Sequence, residues 1–252
     1  MELKEIIEKV TDPYERNARL YPALLALFPL IAMVIGLYGP KASTLSNILI
    51  TAGSCGGLFL VTNLGRESGK RLEPKLFGEW GGKPTTQLLR HRDGRIEGVT
   101  KERYHAFLSG KIKKPFPTRD EEAHDPGAAD DIYQSGVRWL LNQTRDTKKF
   151  GLLFKENITY GFRRNALGLK PIGWPLSICC VLWVLTTHGV FKLSADHFCD
   201  KTALMGLPET AIASLTASMF MFAAWTLFFT KSSTRTAAFT YAETLLRTCD
   251  VL

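Results

Sequence analysis

The side chains best placed to do chemistry lie between residues 66 and 170, where 22 Lys or Arg face 14 Asp or Glu. The positive charges come in groups: Lys70-Arg71, Arg90 with Arg92 and Arg95, Lys111 with Lys113 and Lys114, Lys148-Lys149, and Arg163-Arg164. Clustered guanidinium and ammonium groups bind anions, so a nucleotide, a nucleic acid or an acidic protein are the expected partners. Solvation or anionic lipid heads are the plainer account of such groups, above all beside membrane segments. A second feature is Gly81-Gly82-Lys83-Pro84-Thr85-Thr86. A Gly-Gly turn into a helix with Pro at its start leaves backbone N–H groups exposed, and with Lys83 they would suit an anion. The plainer reading is a turn. The expected ligand-binding set is therefore Lys83, Arg90, Arg92, Arg95, Lys111, Lys113 and Lys114.

The same stretch holds His91, Asp93, His105, His124, Asp125, Asp130 and Asp131. Imidazoles and carboxylates of this kind can hold a metal that activates water. No pair has diagnostic spacing, so no catalytic, metal or cofactor site is assigned. His91-Arg92-Asp93 lacks the Asn that the protein-kinase triplet needs five residues on, since Gly98 stands there. Gly65-Arg66-Glu67-Ser68-Gly69-Lys70 is one residue short of a phosphate loop. Cys249-Asp-Val-Leu matches a prenylation box only by chance, because Asp fits its second position poorly.

The elements that must position these residues are set by where charge is missing. The chain has 252 residues, a net charge of +8 and a mean hydropathy near zero. Yet Leu20–Pro40, Ala42–Gly65, Pro171–Phe191 and Thr210–Thr230 carry no charge at all. These runs hold 87 residues, so all 56 charges fall in the other 165. About 20 apolar residues at 1.5 Å rise cross a hydrocarbon core of about 30 Å. A soluble globular protein, a disulfide-rich secreted domain and a disordered chain are excluded. Lipid offers no hydrogen-bond partner, so each span must be a helix.

The expected fold class is an all-α integral membrane protein, with four transmembrane helices as two hairpins flanking a mostly helical cytoplasmic domain. The divisions are 1–19 (an N-terminal interfacial helix), 20–65 (spans 20–40 and 43–65), 66–170 (the basic domain), 171–230 (span 171–191, outer loop 192–209, span 210–230) and the tail 231–252. Lys and Arg number 29 in the termini and central loop against 3 in the outer loops. The positive-inside rule then puts both termini in the cytoplasm, with a bacterial inner membrane as the expected home.

Inside the spans, Gly53-x-x-x-Gly57 and Ala213 with Ala217 are the expected close contacts, with Ser214 and Ser218 beside them, since small residues let helices approach. The contact can lie within one chain or between copies of a homo-oligomer. Pro29 is expected to bend the first span, and Trp174, Trp183 and Trp225 to anchor at the membrane surface. Asp12-Pro13 opens the first helix, and Leu3, Ile6, Ile7 and Val10 make an apolar stripe before it. In the basic domain the pattern predicts helices over 84–90, 101–108, 128–145 and 147–167, joined by a connection from Lys111 to Gly127. A strand pair near Arg95–Val99 is the most β structure allowed. The third and fourth helices are expected to pair antiparallel.

Three functions follow as expectations. The first is an oligomeric membrane effector or sensor whose basic domain receives an anionic ligand. Its plan is similar in architecture to several bacterial membrane effectors and sensors, some used in anti-phage defence. The second is a membrane anchor or scaffold for a cytoplasmic partner, and the third a membrane-bound metal-dependent hydrolase.

Overall fold

The computed structural model describes residues 12–38, 44–191 and 200–252, without the side chains of 44–50 and 52. The stripe at Leu3–Val10 and the outer-loop residues 192–199 lie outside the described residues. The structure is 82% helical, and no strand occurs among the described residues, so the strand pair near Arg95 is not formed. The helices are α1 (Glu15–Tyr38), α2 (Thr44–Trp80), α3 (Pro84–Leu89), α4 (Gly98–Ile112), α5 (Arg119–His124), α6 (Pro126–Gln143), α7 (Gly151–Thr187), α8 (Lys201–Met205), α9 (Glu209–Leu227) and α10 (Lys231–Arg247). The chain divides into two compact units. One comprises Met1–Leu72 with Gly161–Ser233, the other Glu73–Tyr160 with Thr234–Leu252. Three helices, α1, α7 and α9, are long and apolar enough to cross a membrane. The run 43–65 is helical within α2.

The first unit is built as lipid requires. Its centre is small: Ala23, Ala26, Ala166 and Ala224 surround Trp225, with Leu58 and Val61 of α2 packed on them. Large apolar side chains such as Ile35, Trp183 and Phe220 point outward. Lipid is as apolar as these residues, so burying them would gain little, whereas close backbone approach gains dispersion contacts. Asp12 starts α1 by accepting hydrogen bonds from the Tyr14 and Glu15 N–H groups, at 2.6 and 3.3 Å. Pro29 lies buried inside the helix.

Close approach does occur, but not at the expected positions. A Cβ on Gly168 would lie 2.6 Å from the Gly69 nitrogen, and one on Gly69 would lie 2.5 Å from Asn165 Oδ1. The working pair on α2 is thus Gly65 with Gly69, twelve residues beyond Gly53 and Gly57. A Cβ on Gly53 or Gly57 meets nothing within 4 Å among the described residues. On α9, Ala213 is exposed and Ala217 half-buried. Ser214 and Ser218 take the inner face instead, and Ser214 Oγ donates to the Ala32 carbonyl of α1 at 3.1 Å. Trp225 is no surface anchor: it is fully buried, and a Cβ on Gly173 would fall 2.6 Å from its Cζ2. Trp174 and Trp183 do reach the surface, at 39% and 53% exposure.

The second unit has a conventional apolar core. Leu88, Leu89, Tyr104, Leu108, Tyr133, Val137, Leu140 and Phe150 fill it, and Ala242, Leu245, Leu246 and Cys249 close it. The C-terminal segment, expected as a separate tail, therefore supplies one wall. Asp250 fixes its end through Arg103 at 3.0 Å and Tyr104 Oη at 3.2 Å. Cys249 is buried, and burial and Asp250 push its thiol up to about 12. Two helix boundaries differ from expectation for local reasons. Asp125 caps α6 through the Ala128 N–H at 2.9 Å, so that helix starts at Pro126. The connection after Lys111 contains α5, whose Thr118 and Glu121 form a capping box. The expected fourth helix is the start of α7, which runs unbroken to Thr187.

The glycine geometry gives a direct test. Gly69→Leu or Gly168→Leu should destabilise the purified protein by about 1–3 kcal/mol, the usual cost of overpacking. Gly53→Leu should leave the melting temperature of the single chain unchanged. Equal losses at positions 53 and 69 would contradict this placement of the contact.

Candidate functional site

Of the residues singled out in the sequence, Lys83, Arg90, His91, Arg92, Asp93 and Arg95 lie between the end of α2 and the start of α4, with His105 against His91. Gly81 and Gly82 have φ of 88° and 128°, a region L side chains rarely adopt. They reverse the chain so that α3 folds back. Gly82 N–H donates to the Phe77 carbonyl at 2.7 Å, and Gly81 N–H to that of Gly78 at 3.3 Å. Lys83 Nζ donates to Gln134 Oε1 at 2.8 Å. The donors expected to cradle an anion are thus already engaged, and α3 is only six residues long.

Arg90 is a brace rather than a ligand site. Its Nε and Nη2 fork onto Asp130 at 2.8 and 2.6 Å, and its Nη1 donates to the Gly81 carbonyl at 2.7 Å. The Asp130 hydrogen bond holds its pKa above the usual value, against the opposing effect of burial. Arg95 pairs with Asp93 at 3.3 Å and lies 3.7 Å over the Phe239 ring. Arg92 is half exposed, 3.9 Å from Glu122.

Glu122 is the centre of this region and was not singled out by the sequence. It is 3% exposed and accepts from the His91 N–H and from Tyr133 Oη, each at 2.7 Å. Burial alone would raise its pKa. The hydrogen bonds from His91, Tyr133 and the Arg92 backbone outweigh that and hold it below the usual carboxylate range. Tyr133 is pushed up by burial and by that carboxylate. Lys101 is buried too, and its ammonium donates to the carbonyls of Arg90, at 2.7 Å, and Asp93. Burial lowers its pKa despite the opposing pull of Asp93 and Glu122. The capping box was the available signal. With Thr118 as cap and Glu121 turned back on it, the next carboxylate on α5 points inward.

The histidines are structural as well. His105 Nε2 donates to the Leu89 carbonyl at 2.7 Å, and His91 Nε2 to that of Pro117 at 2.9 Å. Their rings meet edge to face at 4.9 Å. Burial drives the His105 pKa down to about 4, although its bond to Leu89 opposes the shift. Asp125 caps a helix, Asp130 holds Arg90, and His124 is exposed. The expected hydrolytic set is therefore not brought to one point. Among the described residues, no three His, Cys, Asp or Glu could hold a metal ion.

The fold leaves one expected group facing solvent. Lys111, Lys113 and Lys114 are all exposed where α4 ends, with Lys113 in the left-handed region at φ 54°. Lys111 Nζ sits 5.0 Å from the Phe107 ring and 5.5 Å from that of Trp139. The two rings pack edge to face at 5.9 Å, and exposed Arg138 lies beside Trp139 on α6. None of the three lysines makes an ion pair among the described residues. No protein-family model matches this chain, and no similar curated protein or solved structure was found.

His105 sets a pH dependence with a definite sign. Its folded pKa of about 4 lies below the ordinary value of 6.5. Between these values the unfolded chain binds more protons, so stability rises with pH across the window and is lost as pH falls through it. Unfolding of the protein followed from pH 7 to pH 4 should show that slope, and His105→Gln should flatten it. The Glu122 contribution disappears only below its ordinary value of 4.5, which separates the two. A variant whose acid slope matches the parent would remove His105 from this role.

Proposed function

We propose that this chain is an integral membrane protein of four spans, with its termini and second unit in the cytoplasm, that acts as an oligomeric effector or sensor. Three apolar helices and the split of 29 against 3 in Lys and Arg support the membrane reading. The fourth span is the charge-free run within α2. Its open glycine side, at Gly53 and Gly57, is suited to a contact between copies.

One observation carries the sensing role. Of the seven residues expected to bind an anion, Arg90, Arg92, Arg95 and Lys83 each lie against a partner within the chain, whereas Lys111, Lys113 and Lys114 are exposed without an ion pair among the described residues, Lys111 beside the Phe107 and Trp139 rings. Three ammonium groups with no acid among them attract polyanions. A nucleotide, a nucleic acid or an acidic protein segment all meet that condition. The alternative is a membrane anchor for a cytoplasmic partner, which the same corner would hold.

Two measurements test this. The triple change Lys111→Glu, Lys113→Glu and Lys114→Glu should abolish binding of ATP, an RNA oligomer and a polyglutamate peptide by the purified protein. The parent's binding should weaken steeply with salt, because exposed charges are screened over about 8 Å at physiological ionic strength. Unaltered binding by the triple variant would move the receiving face elsewhere. Reporter fusions should report an outer location at Lys201 and a cytoplasmic one after Leu252, and the reverse pattern would overturn the topology.

A further inference from the structure

Three helices of the first unit meet at Asn165, which is fully buried. Its Nδ2 donates to the Ala18 carbonyl of α1 at 2.7 Å. Its Oδ1 fills the space that a Cβ on Gly69 of α2 would need. Arg164, also buried, turns its Nε and Nη2 onto the same oxygen, each at 3.2 Å. One turn earlier, a Cβ on Gly161 would lie 3.0 Å from Tyr14 Oη and 3.1 Å from Ala18 Cβ. The α7 backbone therefore touches the backbone of α2 at Gly168 and the Tyr14 and Ala18 side chains of α1 at Gly161.

The level is the border of the apolar runs. Leu20 begins the first, Gly65 ends the second and Pro171 begins the third. Here Arg19 has one Nη on Glu15, and its guanidinium lies 5.4 Å from the Tyr14 ring centre. Its Nε is shut off from solvent and has no hydrogen-bond partner. A buried cationic donor left unsatisfied is costly, so it calls for an acceptor. Arg16, Arg66, Lys70 and Arg163 stand within a turn of the junction residues, while the acids of this stretch, Glu15 and Glu67, pair with Arg19 and Arg71.

We propose that this junction binds the headgroup phosphate of an anionic phospholipid, with Arg19 as its chief donor. A phosphate presents several acceptor oxygens, and a guanidinium meets two of them with parallel N–H groups. The border level is where such a phosphate lies in a bilayer. A bare positive belt would need charge only; this site needs the planar guanidinium of Arg19, whose side chain is 20% exposed. The inference rests on the membrane reading above, but not on the lysine corner.

The test uses the full chain in nanodiscs of phosphatidylcholine with increasing phosphatidylglycerol, reading the thermal midpoint. Incorporation into nanodiscs itself checks the membrane reading. The parent should be stabilised progressively by the anionic lipid. Arg19→Ala and Arg19→Lys should each need about tenfold more of it, the scale of one charge-assisted hydrogen bond. Lys148→Ala with Lys149→Ala, in the other unit, should respond as the parent does. Equal midpoints in both lipids would overturn the proposal. So would Arg19→Lys behaving as the parent, since charge alone would then suffice. Inorganic phosphate added to pure phosphatidylcholine discs should do nothing, and full stabilisation by it would make the ligand a soluble anion. If Arg19→Ala does not fold, Arg19→Lys and the lipid titration of the parent still decide.

Discussion

Helices in hydrocarbon gain nothing by hiding apolar side chains from one another, and the first unit depends on what replaces that force. The replacement is distance. Gly168 brings α7 onto the backbone of α2 at Gly69, Gly173 admits the Trp225 ring, and Gly36 leaves room for Ser214. Dispersion between touching backbones rises steeply as the gap closes. Asn165 then adds a directed bond to the Ala18 carbonyl of α1. The outward Phe and Ile residues are exposed and lie outside this joint. This is why glycine, a poor helix former, recurs in α2 and α7.

The second unit meets the opposite problem. It has an ordinary apolar core, yet buries Glu122, Lys101, His105 and Arg90 beside it. Each is costly to desolvate alone. They coexist because donors and acceptors match: Glu122 accepts hydrogen bonds from the His91 N–H and the Tyr133 hydroxyl, and Lys101 and His105 donate to carbonyls of the 89–93 segment. The α3–α4 loop has little apolar surface of its own and is held by these bonds. An apolar replacement could match their stability but would not dictate one loop path.

The sequence made the charge partition and the helix types legible, because both are local: a charge-free run or an amphipathic repeat is complete within about twenty residues. The cap at Asp12 was legible for the same reason. Pairing was not. Arg90 meets Asp130 forty residues away, so it reads as a free cation until the chain is folded. The glycine contact within the chain was not legible either, since Gly53-x-x-x-Gly57 and Gly65-x-x-x-Gly69 are the same pattern, and only the partner helix chooses between them. The C-terminal helix looked like a tail because its apolar face, Ala242, Leu245, Leu246 and Cys249, is completed by residues far earlier in the chain. The capping box at Thr118 was readable and was hidden by the charge density around it.

The two kinds of cation are used differently. Arginine is spent where geometry is fixed: Arg90 forks onto Asp130, Arg95 lies on Phe239, and Arg164 is folded onto Asn165. A rigid planar fork loses less freedom per bond, so it suits such places. Lysine is left at the exposed corner, where Lys113 and Lys114 carry long mobile stems. Among the described lysines only Lys101 is buried, and there it faces backbone carbonyls that a compact ammonium fits. The corner should therefore recognise charge density and tolerate varied shapes, with affinity governed by salt. The junction at Arg19 offers a directed donor and should discriminate by geometry. The two proposed anion sites thus differ in kind, because one would rest on point charges and the other on a planar guanidinium.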